Sequence, residues 1–202
     1  MKPPAFIYLA SQSPRRSELL RQAGIAHKIL PTDPDEDLEL LEALQSHESP
    51  VAYVQRVAAL KLDAAMLRLT RLGLQGAPVL CADTTVALGS SVLGKPGDAK
   101  EARVMLAKLS GRTHRVHTAL ALAHKRRRAY ALSSSTVHFC AMESAQIRAY
   151  ASSGEPMGKA GAYAVQGRAS MFISRISGSY SGIMGLPLFE TRQALASLGL
   201  RS

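Results

Sequence analysis

Apolar and polar positions along this chain follow two rhythms. Unbroken or alternating apolar runs bounded by turn residues predict strands over Phe6–Ala10, Ile25–Leu30, Pro78–Leu88, Arg115–His124 and Ala129–Phe139. A period near 3.6 through Val54, Val57, Leu60, Ala64 and Leu67 predicts a helix over Ala52–Leu69. Ser13-Pro14 predicts another helix start, with Ser13 as cap and Pro14 in the first turn. Leu19, Leu20 and Ala23 would be its apolar face and Gly24 its end. Asp98 with Glu101 three residues on forms a capping box and opens a helix reaching Leu109. Ser144–Ser152 and Leu186–Leu198 also read as helices, and the glycine-rich Gly158–Gly167 reads as strand-like. Between the second strand and the long helix lies an acidic loop, Pro31–Glu36. Buried strands interleaved with helices predict a mixed α/β (α+β) fold, and no internal repeat interrupts it.

Composition narrows the class. The chain has 202 residues, 47% of them hydrophobic, which suits one globular domain over residues 1–202. No apolar run approaches the roughly 18 residues that cross a bilayer, and Ala5–Ala10 is too short for a secretory signal. No membrane partner is expected, and the expected location is the cytoplasm. Two cysteines, Cys81 and Cys140, are too few for a disulfide framework; both lie in apolar runs, where buried reduced thiols are expected. Lysine and arginine exceed aspartate and glutamate by 25 to 15, leaving +10. That excess points to an anionic partner: nucleic acid, a membrane surface or a phosphorylated small molecule.

Four places carry candidate chemistry. Ser11-Gln-Ser-Pro-Arg-Arg16 sets hydroxyls and two arginines at a helix start, where free N–H groups attract anions. The same pattern also describes an ordinary capped helix with solvated arginines. Asp83 interrupts an apolar strand, where an unpartnered carboxylate would be costly to bury. Lys95, in Gly94-Lys-Pro-Gly97, is either a phosphate-reaching lysine in a tight turn or a solvated loop residue. The carboxylates Asp33, Asp35, Glu36 and Asp37 are either a solvated loop or ligands for Mg²⁺ with substrate phosphates. His114 and His117 stand three apart in a strand and so face opposite sides, which argues against a shared ion. Lys125–Arg128 reads as a solvated hairpin tip, and Arg21, Arg68, Arg71 and Arg103 as exposed helix positions.

These segments, in order and spacing, resemble the Maf family of nucleotide pyrophosphatases. The resemblance rests on Leu9-Ala-Ser-Gln-Ser-Pro-Arg-Arg-Ser-Glu-Leu-Leu20, Cys81-Ala-Asp-Thr-Thr-Val86 and Leu93-Gly-Lys-Pro96. It continues through Ser110–Thr118, Gly158–Gly167 and Gly178–Leu188, nearly the whole chain. It implies an elongated mixed sheet flanked by helices, with two lobes around a deep central cleft as in Maf/ITPase-like folds, and a homodimer. It implies hydrolysis of a nucleoside triphosphate to the monophosphate and pyrophosphate, assisted by a divalent cation, Mg²⁺ or Mn²⁺. The glutamine at Gln166 resembles the branch acting on dTTP and UTP, where a glutamate marks the branch acting on methylated guanosine triphosphate.

By the same resemblance, Asp83 matches the proton acceptor, and Arg15, Thr84 and Gln166 match positions of substrate choice. Ser11, Arg16, Glu36, Lys61 and Lys95 match other cleft residues, with Glu36 and Asp83 as metal-holding carboxylates. One departure is Leu60-Lys61, where the family has Glu-Lys. The family is also linked to septum formation. The competing class is a nucleic-acid-binding or division-regulating protein, suggested by net charge and the basic tip; no aromatic residues interleave that tip as single-strand binding would require. A phosphotransferase would need a P-loop or kinase catalytic loop, and neither motif is present.

Overall fold

A computed structural model describes residues 5–33, 38–74 and 76–200. In chain order its elements are β1 (Ile7–Leu9), α1 (Pro14–Gln22), β2 (His27–Ile29), α2 (Leu38–Leu41), α3 (Pro50–Arg71), β3 (Val79–Leu88) and β4 (Ser91–Leu93). They continue with α4 (Ala99–Leu109), β5 (Thr113–His124), β6 (Arg127–Phe139), α5 (Ser144–Ala151), β7 (Ile173–Ser177), α6 (Tyr180–Met184) and α7 (Leu188–Ser197). Among the described residues the strands form one mixed sheet of seven, ordered β2-β1-β3-β5-β6-β7, with β4 paired to β3. The β2-β1-β3 portion is parallel, and the remaining pairings are antiparallel. The mixed α/β expectation is borne out.

Period-two alternation explains how helices cover both faces. Tyr8, Val79, Cys81, Ala119 and Ala121 pack with Val54, Val57 and Leu62 of α3 on one face. Ile7, Leu9, Leu80, Ala82, Leu120 and Leu122 pack with Leu19 and Leu20 of α1 and Leu195 of α7 on the other. A strand buried on both sides reads as a nearly continuous apolar run, as β3 does. Each fully buried leucine of this core, such as Leu62, stabilises the fold by about 1.5–3 kcal/mol. The strand β5 spans 12 residues, roughly 40 Å. Its length carries it and its neighbours into a further core, where Val86, Val116, Val137 and Phe139 meet α4 and α5. Asp83 and Thr84 lie between these cores on β3.

Some local expectations change. The long helix starts earlier, at Pro50, because Ser49 caps it by accepting from Ala52 N at 3.2 Å. Asp98 caps α4 as expected, accepting from Glu101 N at 2.7 Å. Ser13 is the residue before α1, but its side chain makes no cap bond, and Ala23 is exposed. Gly158–Gly167 is not a strand. It folds through a single 3₁₀ turn, Ala160–Ala162, because two successive residues, Gly161 and Ala162, take left-handed backbone angles of φ 68° and 61° that no strand accommodates. Cys81 is buried, but Cys140 is exposed just past the end of β6; both are free thiols. Burial pushes the Cys81 thiol up to about 12.

Candidate active site

The pleat of β3 delivers two candidate side chains to opposite faces. Asp83 falls on the face of Val79 and Cys81, toward α3, and Thr84 on the face of Leu80 and Ala82, toward α1. From α3, Lys61 Nζ donates to Asp83 Oδ1 at 2.6 Å and to Glu42 Oε1 at 2.7 Å. Lys95, in the loop after β4, donates to Glu42 Oε2 at 2.8 Å and Oε1 at 3.2 Å. The nearly buried Asp83 therefore has the paired, hydrogen-bonded surroundings that a buried charge requires. Burial alone would raise the Glu42 carboxyl, but Lys61 and Lys95 outweigh it and hold it below the ordinary range.

The backbone around Glu42 is clamped from α3. Tyr53 Oη donates to the Glu42 carbonyl at 3.0 Å, while Arg56 donates to the carbonyls of Leu41 and Ala43 at 3.3 and 2.9 Å. Arg56 also forms a two-pronged pair with Glu48, at 2.6 and 2.7 Å. Burial first, then the charges of Asp83 and Glu42, push the Tyr53 hydroxyl up to about 12, so it remains a donor near neutral pH.

The opposite wall comes from the start of α1. Arg16 donates to Gly185 O at 2.8 Å, Ser11 Oγ at 3.0 Å and Thr84 Oγ1 at 3.4 Å. Thr118, paired with Thr84 across β3 and β5, gives its hydroxyl proton to Gly182 O at 2.7 Å. Its oxygen therefore accepts from Thr84 at 3.0 Å, and a directional chain runs from Arg16 through Thr84 and Thr118 to Gly182. Burial lowers the pKa of Arg15 and Arg16; for Arg16 the charge of Asp83 works the other way. Lys159 is lowered by burial and next by Arg15, so these two cations share a wall.

One cavity of about 630 Å³ is lined by Ser11, Arg15, Arg16, Lys61, Asp83, Thr84, Lys95 and Gln166. These sequence-expected residues, far apart in the chain, are thus brought together. Glu36 lies outside the described residues, as do Asp35 and Asp37, while Asp33 pairs with Arg71 at 2.8 Å. Three charged lining residues are not marked as site residues by the sequence: Glu42, Lys159 and Arg68. Arg68 is not an exposed helix position; it is buried at 4% exposure. Its place seven residues, two helical turns, after Lys61 on the same face is the signal that marks it. Lys159 sits inside the glycine-rich segment without a periodic cue. Glu42 carries no cue at all; its role depends on a loop folding back onto α3. Lys61, whose neighbour is Leu60 and not an acid, takes its carboxylates from Glu42 and Asp83 instead.

The two remaining candidates have other partners. His114 is buried, with Nε2 at 2.8 Å from Tyr163 Oη, whereas His117 Nδ1 lies 2.8 Å from Ser134 Oγ. In the basic tip, Arg128 binds Asp63 Oδ1 at 2.5 Å and Arg127 binds Ser197 O at 2.6 Å, so these arginines are tied to their own chain.

Among the described residues the cavity wall carries six basic side chains against two carboxylates, an excess of four positive charges. Like charges crowd together in this way where an anionic ligand offsets their repulsion. Gln166 is exposed at the rim, and its amide makes no hydrogen bond to other described residues. Among the described residues no three His, Cys, Asp or Glu side chains converge as a metal cluster. Asp83 and Glu42 do converge on one ammonium, and one or two carboxylates plus substrate phosphates are the usual setting for Mg²⁺. The cavity thus brings together a carboxylate, a surplus of cations and an amide that no described residue occupies.

The chain belongs to the Maf-like protein family, whose pattern matches residues 6–198. It is 63% identical over 196 residues to a dTTP/UTP pyrophosphatase of Albidiferax ferrireducens, covering 97% of this chain and 98% of that protein. It is equally 63% identical over 196 residues to a dTTP/UTP pyrophosphatase of a Polaromonas species, covering 97% of each. A dTTP/UTP pyrophosphatase of Cupriavidus metallidurans is 56% identical over 196 residues, covering 97% of this chain and 98% of that protein. No described helix is long and apolar enough to cross a membrane.

Proposed function

We propose that this protein hydrolyses dTTP and UTP to the monophosphate and pyrophosphate. The observation that carries the reading is the single cavity uniting Asp83, an excess of cations and the free amide of Gln166, in a chain similar throughout to dTTP/UTP pyrophosphatases. Arg15, Arg16, Lys95 and Lys159 grip the polyphosphate, Arg16 being pre-aimed by its bonds to Ser11 and Gly185. Asp83 orients and deprotonates the attacking water. Lys61 occupies Oδ1, leaving Oδ2 for the water. Charge developing on the departing pyrophosphate is met by cations already in place. The Gln166 amide donates to O4 and accepts from N3–H of uracil or thymine, an edge that a glutamate would partly repel.

Asp83 and Glu42 are the described residues that would hold Mg²⁺ or Mn²⁺. Such an ion supplies charge neutralisation at the phosphate oxygens. The expected homodimer rests on the family resemblance. The cytoplasmic setting rests on composition and fits two free thiols.

The test is a panel of dTTP, UTP, CTP and GTP with Mg²⁺ or Mn²⁺ and identification of products. Pyrophosphate release with preference for dTTP and UTP is expected. Orthophosphate release, or no turnover on any nucleotide, overturns the proposal.

A further inference from the structure

Gln166 stands on a segment without regular structure, between the turn Ala160–Ala162 and a second 3₁₀ turn, Arg168–Phe172. Reading a base edge requires the reading amide to be held within about 0.5 Å, and an unsupported loop does not do that. The support comes from two buried or half-buried residues outside the cavity wall. Tyr150, in α5 and 2% exposed, donates its hydroxyl to Glu155 Oε1 at 2.8 Å. The Tyr150 oxygen accepts from Ala164 N at 3.4 Å, two residues before Gln166. Glu155 Oε2 accepts from Arg168 N at 3.1 Å, two residues after it. The adjacent Gly167 leaves room for this carboxylate: a Cβ there would lie 2.6 Å from Glu155 Cδ. Glu155 also presents its backbone carbonyl to the Lys159 ammonium. Burial and the bond to Glu155 raise the pKa of the Tyr150 hydroxyl, which keeps it a donor.

We infer that Tyr150 and Glu155 form a bracket that positions Gln166 for base recognition and so act as specificity-determining positioning residues. They hold the backbone on both flanks of Gln166 and touch neither phosphate nor base. The inference rests on the base-reading role proposed for Gln166. The physical consequence is a separation of two kinds of binding: loosening the bracket weakens recognition of the base while Arg15, Arg16 and Lys95, which the bracket does not touch, keep their grip on phosphate.

The experiment compares KM for dTTP with the inhibition constant of inorganic tripolyphosphate, which has no base. Tyr150→Phe and Glu155→Gln should each raise KM for dTTP about tenfold and leave tripolyphosphate inhibition within about twofold. Gly167→Ala pushes a methyl into the Glu155 carboxylate and should reproduce the effect. In a Glu155→Ala background the same glycine change should add little, because the carboxylate it displaces is already gone. Gly167→Ala also carries the test if the Glu155 variants do not fold. An unchanged KM for dTTP, or a parallel rise in both constants, overturns the bracket. Gln166→Ala separates this failure from failure of the base-reading role. If Gln166→Ala leaves KM for dTTP unchanged, base reading itself is wrong. If it raises KM while the bracket variants do not, only the bracket is wrong.

Discussion

Asp83 occupies a strand position that its neighbours would fill with a hydrophobe. It is tolerated there because Lys61 reaches it from α3 at 2.6 Å, so the pair is a local solution to burying a charge. Asp83→Asn retains the shape and a hydrogen-bonding oxygen but cannot take a proton. Turnover should fall by at least roughly 100-fold with the melting temperature little changed, as a pyrophosphate-release assay and a thermal melt would show. Near-normal turnover would remove Asp83 from the base role. Glu42 is subtler, since its carboxylate neutralises the two lysines that a phosphate must also reach. Without divalent cation, Glu42→Gln should tighten pyrophosphate binding about fivefold, the equivalent of roughly 1 kcal/mol for a charge pair in a wet site. With Mg²⁺ present the change should reverse sign, because the carboxylate then sides with the cation. Titration calorimetry in both conditions checks the pair of signs. Asp83 was legible in the sequence as a misfit in an apolar run; Glu42 was not, because nothing near it in the chain announces a partner 19 residues away on another element.

At the scale of elements, apolar rhythm located most strands and most helices, since each buries a stripe or a face. It failed where packing and not pattern dictates the backbone. Gly158–Gly167 is the clearest case. Its small residues suit a strand by composition, but Gly161 packs directly against Val86 of β3 with φ +68°. A Cβ there would come within 2.8 Å of Val86 Cγ1, in a backbone region unfavourable to any side chain. Gly161→Ala should therefore destabilise the protein by about 1–3 kcal/mol, measurable as a lowered denaturant midpoint. A midpoint equal to that of the parent protein would show that the turn can shift at no cost. The short helices α2 and α6 were likewise invisible, being too brief for a period to register, and β7, Ile173-Ser-Arg-Ile-Ser177, has no apolar run or strict alternation to mark it. Ser13-Pro14 and Asp98-x-x-Glu101, by contrast, were readable as helix starts because proline tolerance and capping are local chemistry.

At the scale of the whole molecule, the net charge of +10 proves a loose guide, since part of it faces the cavity and part is spent on intrachain pairs such as Arg128 with Asp63. Stability against pH depends on a different residue. His114 lies buried among Phe139 and Tyr163, and burial, then the charge of His138, lowers its pKa to about 4. Its unfolded value is near 6.5, so between these limits the unfolded chain binds the extra proton. Stability from this group is complete above about pH 6.5 and declines as pH falls toward 4, by at most about 1.4 kcal/mol per pH unit. Denaturant unfolding near pH 7.5 and pH 5 should show that loss, and His114→Phe should show less of it; an equal loss in both proteins would assign the effect elsewhere.

What the sequence determined alone was everything that depends on neighbours in the chain: the strands and long helices, the helix starts, the family motifs and most of the polar residues they carry. Tertiary structure decided which of those residues meet. Asp83 and Thr84 are adjacent in sequence yet serve opposite walls because a strand turns its side chains over at each step. Glu42, Arg68 and Lys159 join the site, and Tyr150 and Glu155 support it, only because helices and loops distant in the chain close on the same sheet. Those contacts depend on long-range packing, which no local rhythm of apolar and polar residues encodes.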